Sequence, residues 1–332
     1  MKTKASLGSV TAIAGLLILI ADSETARSGM VSGIENCLHT LIPALFPFML
    51  LCALITGNDA IRPGALLRTL GRFCHIPTGC EHLLVIGFLG GYPTGAKSVS
   101  TLYSQGVITR EDARRLVVFC NNPGPAFIFG ILGGIFRDLR TVILLWIIQI
   151  LSALLMGHFL PRPESGNPKP ARISPLSLTD ALGSSIHGMA TICGWVIAFR
   201  VVLEYLDKWI LRYLPTYLQV LVAGSLELTN GCLGLPGLEA ELPRFILASV
   251  MLSFGGLCIC LQTESLCEKE IFAGYIRGKF IQSIISLLLC VTCCFAANFI
   301  PVPLIIGFLA SLPFIHTLLR KYAEKRKIEV AF

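Results

Sequence analysis

Apolar residues in this chain run on for about twenty positions at a time, the length that a roughly 30 Å hydrocarbon core demands of a helix. Such runs predict membrane spans near 7–22, 37–56, 113–136, 141–160, 183–206, 241–262, 279–298 and 301–319. Two further apolar stretches, 83–104 and 217–236, are each interrupted by Gly or Pro and flanked by polar residues, which predicts re-entrant helical hairpins. Residues 58–76 place Arg62, Arg68 and Arg72 among leucines, the pattern of a helix lying in the interface. In GFLGGYPTGAKSVS, Gly87 to Ser100, glycines, a proline and a lysine fall where an apolar run should continue. Lipid tolerates an interrupted helix only where protein or a water-filled cavity satisfies the freed backbone groups.

Composition agrees with an all-α polytopic membrane protein: 54% of the 332 residues are hydrophobic and 14% charged, against about 25% charged in soluble domains. The first run follows Lys2 and Lys4 and no Ala-x-Ala-like cleavage site follows it, so it reads as an uncleaved helix. With eight crossings and the N-terminus inside, 19 of the 27 lysines and arginines are cytoplasmic and 7 external, with Lys97 in the first hairpin. That positive-inside bias puts both termini in the cytoplasm of a plasma-membrane protein, and it accounts for the net charge of +7 without nucleic acid.

The order span, hairpin, span, span occurs twice, starting on opposite sides of the membrane. The halves therefore read as an inverted repeat, and their hairpin tips can meet near the midplane. The divisions are an N-terminal helix over 1–30, a first repeat over 31–160, a proline-rich cytoplasmic linker over 161–177, a second repeat over 178–300, and a last helix with a basic tail over 301–332.

Four polar islands fall at matching places. Tyr92, Pro93, Thr94 and Gly95 form the first hairpin tip, and Asn121, Asn122 and Pro123 break the span after it. Glu227, Thr229 and Asn230 interrupt the second hairpin, and Ser253, Gly255 and Gly256 the span after that. A broken helix offers N–H groups at one end and carbonyls at the other, enough to coordinate an ion without a charged side chain. The competing reading is close helix packing at the glycines and interhelical bonding by the asparagines. A carboxylate at membrane depth marks a substrate, ion or proton pathway by default, which singles out Glu227; a hairpin cap is its plainer role. Lys97 either contacts an anionic solute or snorkels to the headgroups. Arg200 and Glu204, four apart, suit an ion pair.

No phosphate-cradling loop, nucleophile elbow or zinc-protease helix occurs, and the histidines and 13 cysteines show no metal-ligand spacing. The expectation is a non-enzyme without metal or cofactor.

Three stretches, ARSGMVSGIENCLHTLIPALFPFMLLCALI, GFLGGYPTGAKSV and GVITREDARRLVVFCNNPGPAFIFG, resemble the YlbJ family of sporulation integral membrane proteins. The halves of that family are nucleoside-recognition, or Gate, domains, which are similar to halves of concentrative nucleoside transporters. The resemblance implies the inverted-repeat hairpin fold. Where nucleoside transporters carry Gln-Thr-Glu at the first tip, this chain has Pro93, Thr94 and Gly95. Tyr92, Thr94, Gly95, Asn121, Asn122, Glu227, Asn230 and Ser253 stand as candidate substrate contacts. Two functions follow: a secondary transporter or permease of a small polar solute in spore formation, or a non-transporting scaffold. Membrane lipid, and a homo-oligomeric or sporulation membrane partner, complete the expected surroundings.

Overall fold

The computed structural model describes residues 2–56, 64–161 and 177–297. Among them the chain is helical with no strand, and five helices are long and apolar enough to cross a membrane. The expected last span at 301–319, its basic tail and nearly all of the 161–177 linker lie outside the described residues.

Helix α1 (Lys2–Ala21) is followed at once by α2 (Ser23–Asn36), capped by the Asp22 carboxylate. A π-helical turn at Cys37–Leu41 leads without interruption into α3 (Ile42–Thr56). The span expected to begin at 37 is thus the second part of a helix that starts at Ser23. Capping chemistry at Asp22 decides the start, and the polar run SETARSG hides it from an apolar count. Helix α4 (Ala65–Phe73) has the amphipathic pattern expected of an interfacial helix.

The first interrupted stretch is α5 (His82–Val85) with a π turn over Ile86–Gly90, a break at 91–93, and α6 (Thr94–Ser104). The expected span 113–136 is two pieces: α7 (Arg110–Phe119), then α8 (Pro125–Phe127) continuing through Ile128–Leu132 into α9 (Gly133–Phe136). Asn122-Pro123 and Gly124-Pro125 remove two amide donors and exclude helix geometry from the residue before each proline, so the helix stops and restarts. Helix α10 (Leu139–Phe159) is unbroken.

Helix α11 (Leu178–Trp209) opens the second half. The second interrupted stretch is α12 (Thr216–Leu226), an extended Glu227, and α13 (Leu228–Gly234). Next come α14 (Glu241–Phe254), a break at Gly255 with φ +82°, and α15 (Gly256–Leu266). A short α16 (Lys269–Phe272) precedes α17 (Tyr275–Ala297).

Helices α10 and α17 pack against each other and each reaches the broken helix of the other half: α10 lies on α14 and α17 on α7. Helix α11 runs along α2 and α3. Two apolar clusters fill the interior, one around Leu83, Leu116, Phe119 and Met156, the other around Leu41, Ile128, Leu132, Leu145 and Leu252. Helix α10 joins both. Outward faces of α1 and α11 leave Val10, Ile13, Leu17, Ile20 and Ile186 exposed, as lipid contact requires.

Candidate functional site

All four breaks come together. A cavity of about 50 Å³ is lined by Gly90–Tyr92 of the first interrupted stretch, Pro123 and Gly124 of the first broken helix, Glu227–Thr229 of the second interrupted stretch, and Ile259 and Gln262 of the second broken helix, and apolar residues of α3 and α11, among them Leu45, Met49 and Ile192, close the rest of its wall. Gly91 and Gly124 make the approach possible, since a Cβ on Gly124 would stand 2.9 Å from the Gly91 Cα. The Tyr92 hydroxyl donates to the Leu252 carbonyl at 2.9 Å and ties the first tip to the second broken helix.

Glu227 is 2% exposed and caps α13: its carboxylate accepts from the Thr229 N–H at 3.0 Å, the Asn230 N–H at 2.8 Å and Asn230 Nδ2 at 2.7 Å. The plainer of its two expected roles, a helix cap, is the one its bonds show, and the residue lies in the wall of the cavity.

Of the sequence-derived candidates, Tyr92 and Glu227 line this cavity, with Thr229 and Gly91 beside them. Asn230 stands behind Glu227. Thr94 bonds back to the Gly90 carbonyl, and Gly95 lies flat against the Cys120 carbonyl. Lys97 is exposed and donates to Ser184 Oγ at 2.7 Å.

Asn121, Asn122 and Ser253 are buried in a separate polar layer. Asn121 Nδ2 donates to Thr263 Oγ1 at 3.0 Å and to the Tyr275 hydroxyl at 2.9 Å. Asn122 Oδ1 accepts from Gln282 Nε2 at 2.8 Å, and its Nδ2 donates to the Phe119 carbonyl. Gln149 Oε1 accepts from Ser253 Oγ at 2.7 Å. The layer has a reciprocal form: Gln149 on α10 donates to Ser286 on α17, while Gln282 on α17 donates to Ser152 on α10, both at 3.3 Å.

Lys279, one of the 19 basic residues that the positive-inside count places in the cytoplasm, is instead fully buried in α17, its Nζ 2.7 Å from the Asn121 carbonyl. A signal for it existed: Lys279, Gln282, Ser283 and Ser286 follow helical spacing, a polar stripe on one face of an apolar helix. Gln149 with Ser152, and Ser249 with Ser253, repeat that signal on α10 and α14. Arg200 and Glu204 form the ion pair their spacing predicts, at 2.8 Å. No group of three His, Cys, Asp or Glu side chains placed to hold a metal ion occurs among the described residues.

Over 313 aligned residues the chain is 27% identical to the sporulation integral membrane protein YlbJ of Bacillus subtilis strain 168, covering 80% of this chain and 77% of that protein. The chain is YlbJ-like. No family model and no solved structure matches it. This YlbJ-like chain is accordingly a multi-pass membrane protein, without strands among the described residues, that has a buried polar layer and a small cavity where four helix breaks meet.

Proposed function

We propose that this YlbJ-like chain is a secondary transporter or permease that handles a small polar solute during spore formation, with its site at the meeting of the two hairpin tips and two broken helices. The single observation that carries the reading is the shared cavity with Glu227 at its border. Paired interrupted helices in corresponding positions of two halves are where transporters bind their solutes. The inverted repeat, 31–160 against 178–300, is supported by the exchange of bonds between Gln149 and Ser286 and between Gln282 and Ser152. It is supported too by the crossed packing of α10 on α14 and α17 on α7. The lysine and arginine asymmetry favours cytoplasmic termini.

A cavity of about 50 Å³ holds a water or two, whereas sites for drug-sized ligands run to about 300 Å³ or more. A small solute or ion therefore fits this state of the chain and a nucleoside does not. Comparing small solutes in spores formed with the chain, without it, and with Glu227→Gln tests the reading. Loss of a particular polar solute in the second and third supports transport; unchanged solute content in both refutes it.

One observation favours a second reading, a scaffold that keeps the fold without moving anything. Every side-chain nitrogen and oxygen of Asn121 and Asn122 already has a protein partner. A scaffold predicts that spore formation tolerates Glu227→Gln but not disruption of the Asn pair.

A further inference from the structure

Lys279 lies at 0% exposure inside the helix layer, and no carboxylate forms an ion pair with it among the described residues. Four oxygens surround its Nζ instead: the Asn121 carbonyl at 2.7 Å, Gln282 Oε1 at 2.8 Å, Asn122 Oδ1 at 3.4 Å and the Val118 carbonyl at 3.5 Å. The Tyr92 ring closes a further side, its centroid 5.3 Å from the nitrogen. An ammonium has three protons, so four oxygens and a π-face form a cage around a charge as well as a set of hydrogen bonds. Two of the oxygens are backbone carbonyls, that of Val118 in the last turn of α7, where the helix dipole is negative, and that of Asn121 in the break just beyond it. Unwound carbonyls and half-helix C-termini are the groups with which broken membrane helices hold monovalent cations.

We propose that this cage is a monovalent-cation site whose resident ion is the lysine's own ammonium group. It would accept a small monovalent cation, or a primary alkylammonium ion, once the side chain is cut away. The first broken helix then carries its cation covalently and draws none from solution. The proposal rests on the oxygen cage alone and stands or falls independently of transport.

The test is thermal unfolding of the purified full-length chain in detergent, at equal ionic strength in sodium, potassium, methylammonium or choline chloride. Lys279→Ala is expected to unfold several degrees below the parent in choline, and to regain most of that loss in at least one of the three smaller cations. Lys279→Met fills the space without a charge and is expected to stay low in all four. The same Tm for Lys279→Ala in every salt, or parental stability in Lys279→Met, overturns the proposal. Should Lys279→Ala fail to fold in every salt, Gln282→Glu and Gln282→Met decide, because both lose the same amide donors. A carboxylate beside a resident cation makes Gln282→Glu the more stable of the two; the opposite order overturns the proposal.

Discussion

Replacing Glu227 with alanine strips α13 of its cap. Three bonds go: those from the Thr229 and Asn230 backbone N–H groups and from Asn230 Nδ2. Loss of a cap costs about 0.5–2 kcal/mol, and a buried donor left without an acceptor about 1–3 kcal/mol. Removing a buried carboxylate returns part of that, because its own desolvation was unfavourable. A net loss of about 2 kcal/mol follows for Glu227→Ala. Glutamine keeps one acceptor oxygen and turns an amide NH₂ toward the other donors, so Glu227→Gln should lose about half as much. Thermal unfolding in detergent should rank parent above glutamine above alanine. Equal stability of all three would refute the capping role and remove the structural reason for an acidic residue at the break.

Four further outcomes can be tested. Asn121→Leu and Tyr275→Phe should each lower the Tm, and the double variant should lose less than the sum because the two share a 2.9 Å bond; additivity would deny the coupling. Gly231→Ala should destabilise by about 1–3 kcal/mol, because its Cβ meets the Gly224 backbone where α12 and α13 cross; an unchanged melting curve would contradict that crossing. The Thr141 hydroxyl, with the Arg140 and Thr141 N–H groups, holds the Asp138 carboxyl below the usual carboxylate range. Its stabilisation is present above the unfolded value of about 3.9 and lost as pH falls through the folded value, so Asp138→Asn should flatten the acid side of a Tm-against-pH curve. If the termini are cytoplasmic as proposed, single cysteines at Lys169 or Lys325, in a cysteine-free background, should resist external labelling in intact cells; reaction there would reverse the proposed orientation.

Helix breaks were the most legible feature of the sequence, because Gly91, the Asn-Pro and Gly-Pro steps of 122–125, and Gly255 each change backbone geometry without help from distant residues. Helix ends were less so. The start at Ser23 depends on a polar cap that apolar counting ignores, and 113–136 read as one span because Ile128–Phe136 restores hydrophobicity after the prolines. The polar layer was only half visible. Asn121, Asn122 and Ser253 stand out as interruptions, yet Lys279 and Gln282 lie in an unbroken helix, where Lys279 reads as a cytoplasmic flank and Gln282 as one position of an apolar span. The polar stripe marks one face of α17, but the element that face meets is α7, more than a hundred and fifty residues away, and no local pattern encodes that pairing. For the same reason the sequence grouped Asn121 and Glu227 at one site, whereas the fold assigns them to adjacent compartments.

Thr229 borders the cavity beside Glu227 and is 2% exposed, so a cysteine there reports directly on what the meeting point of the breaks does. In sealed vesicles holding a cysteine-free chain with Thr229→Cys, a water-soluble thiol reagent is added to one side or the other. Alternating access predicts modification from both sides, slowed when the transported solute is present. A folded protein whose Thr229→Cys resists the reagent from both sides would mark a dry packing interface and contradict transport.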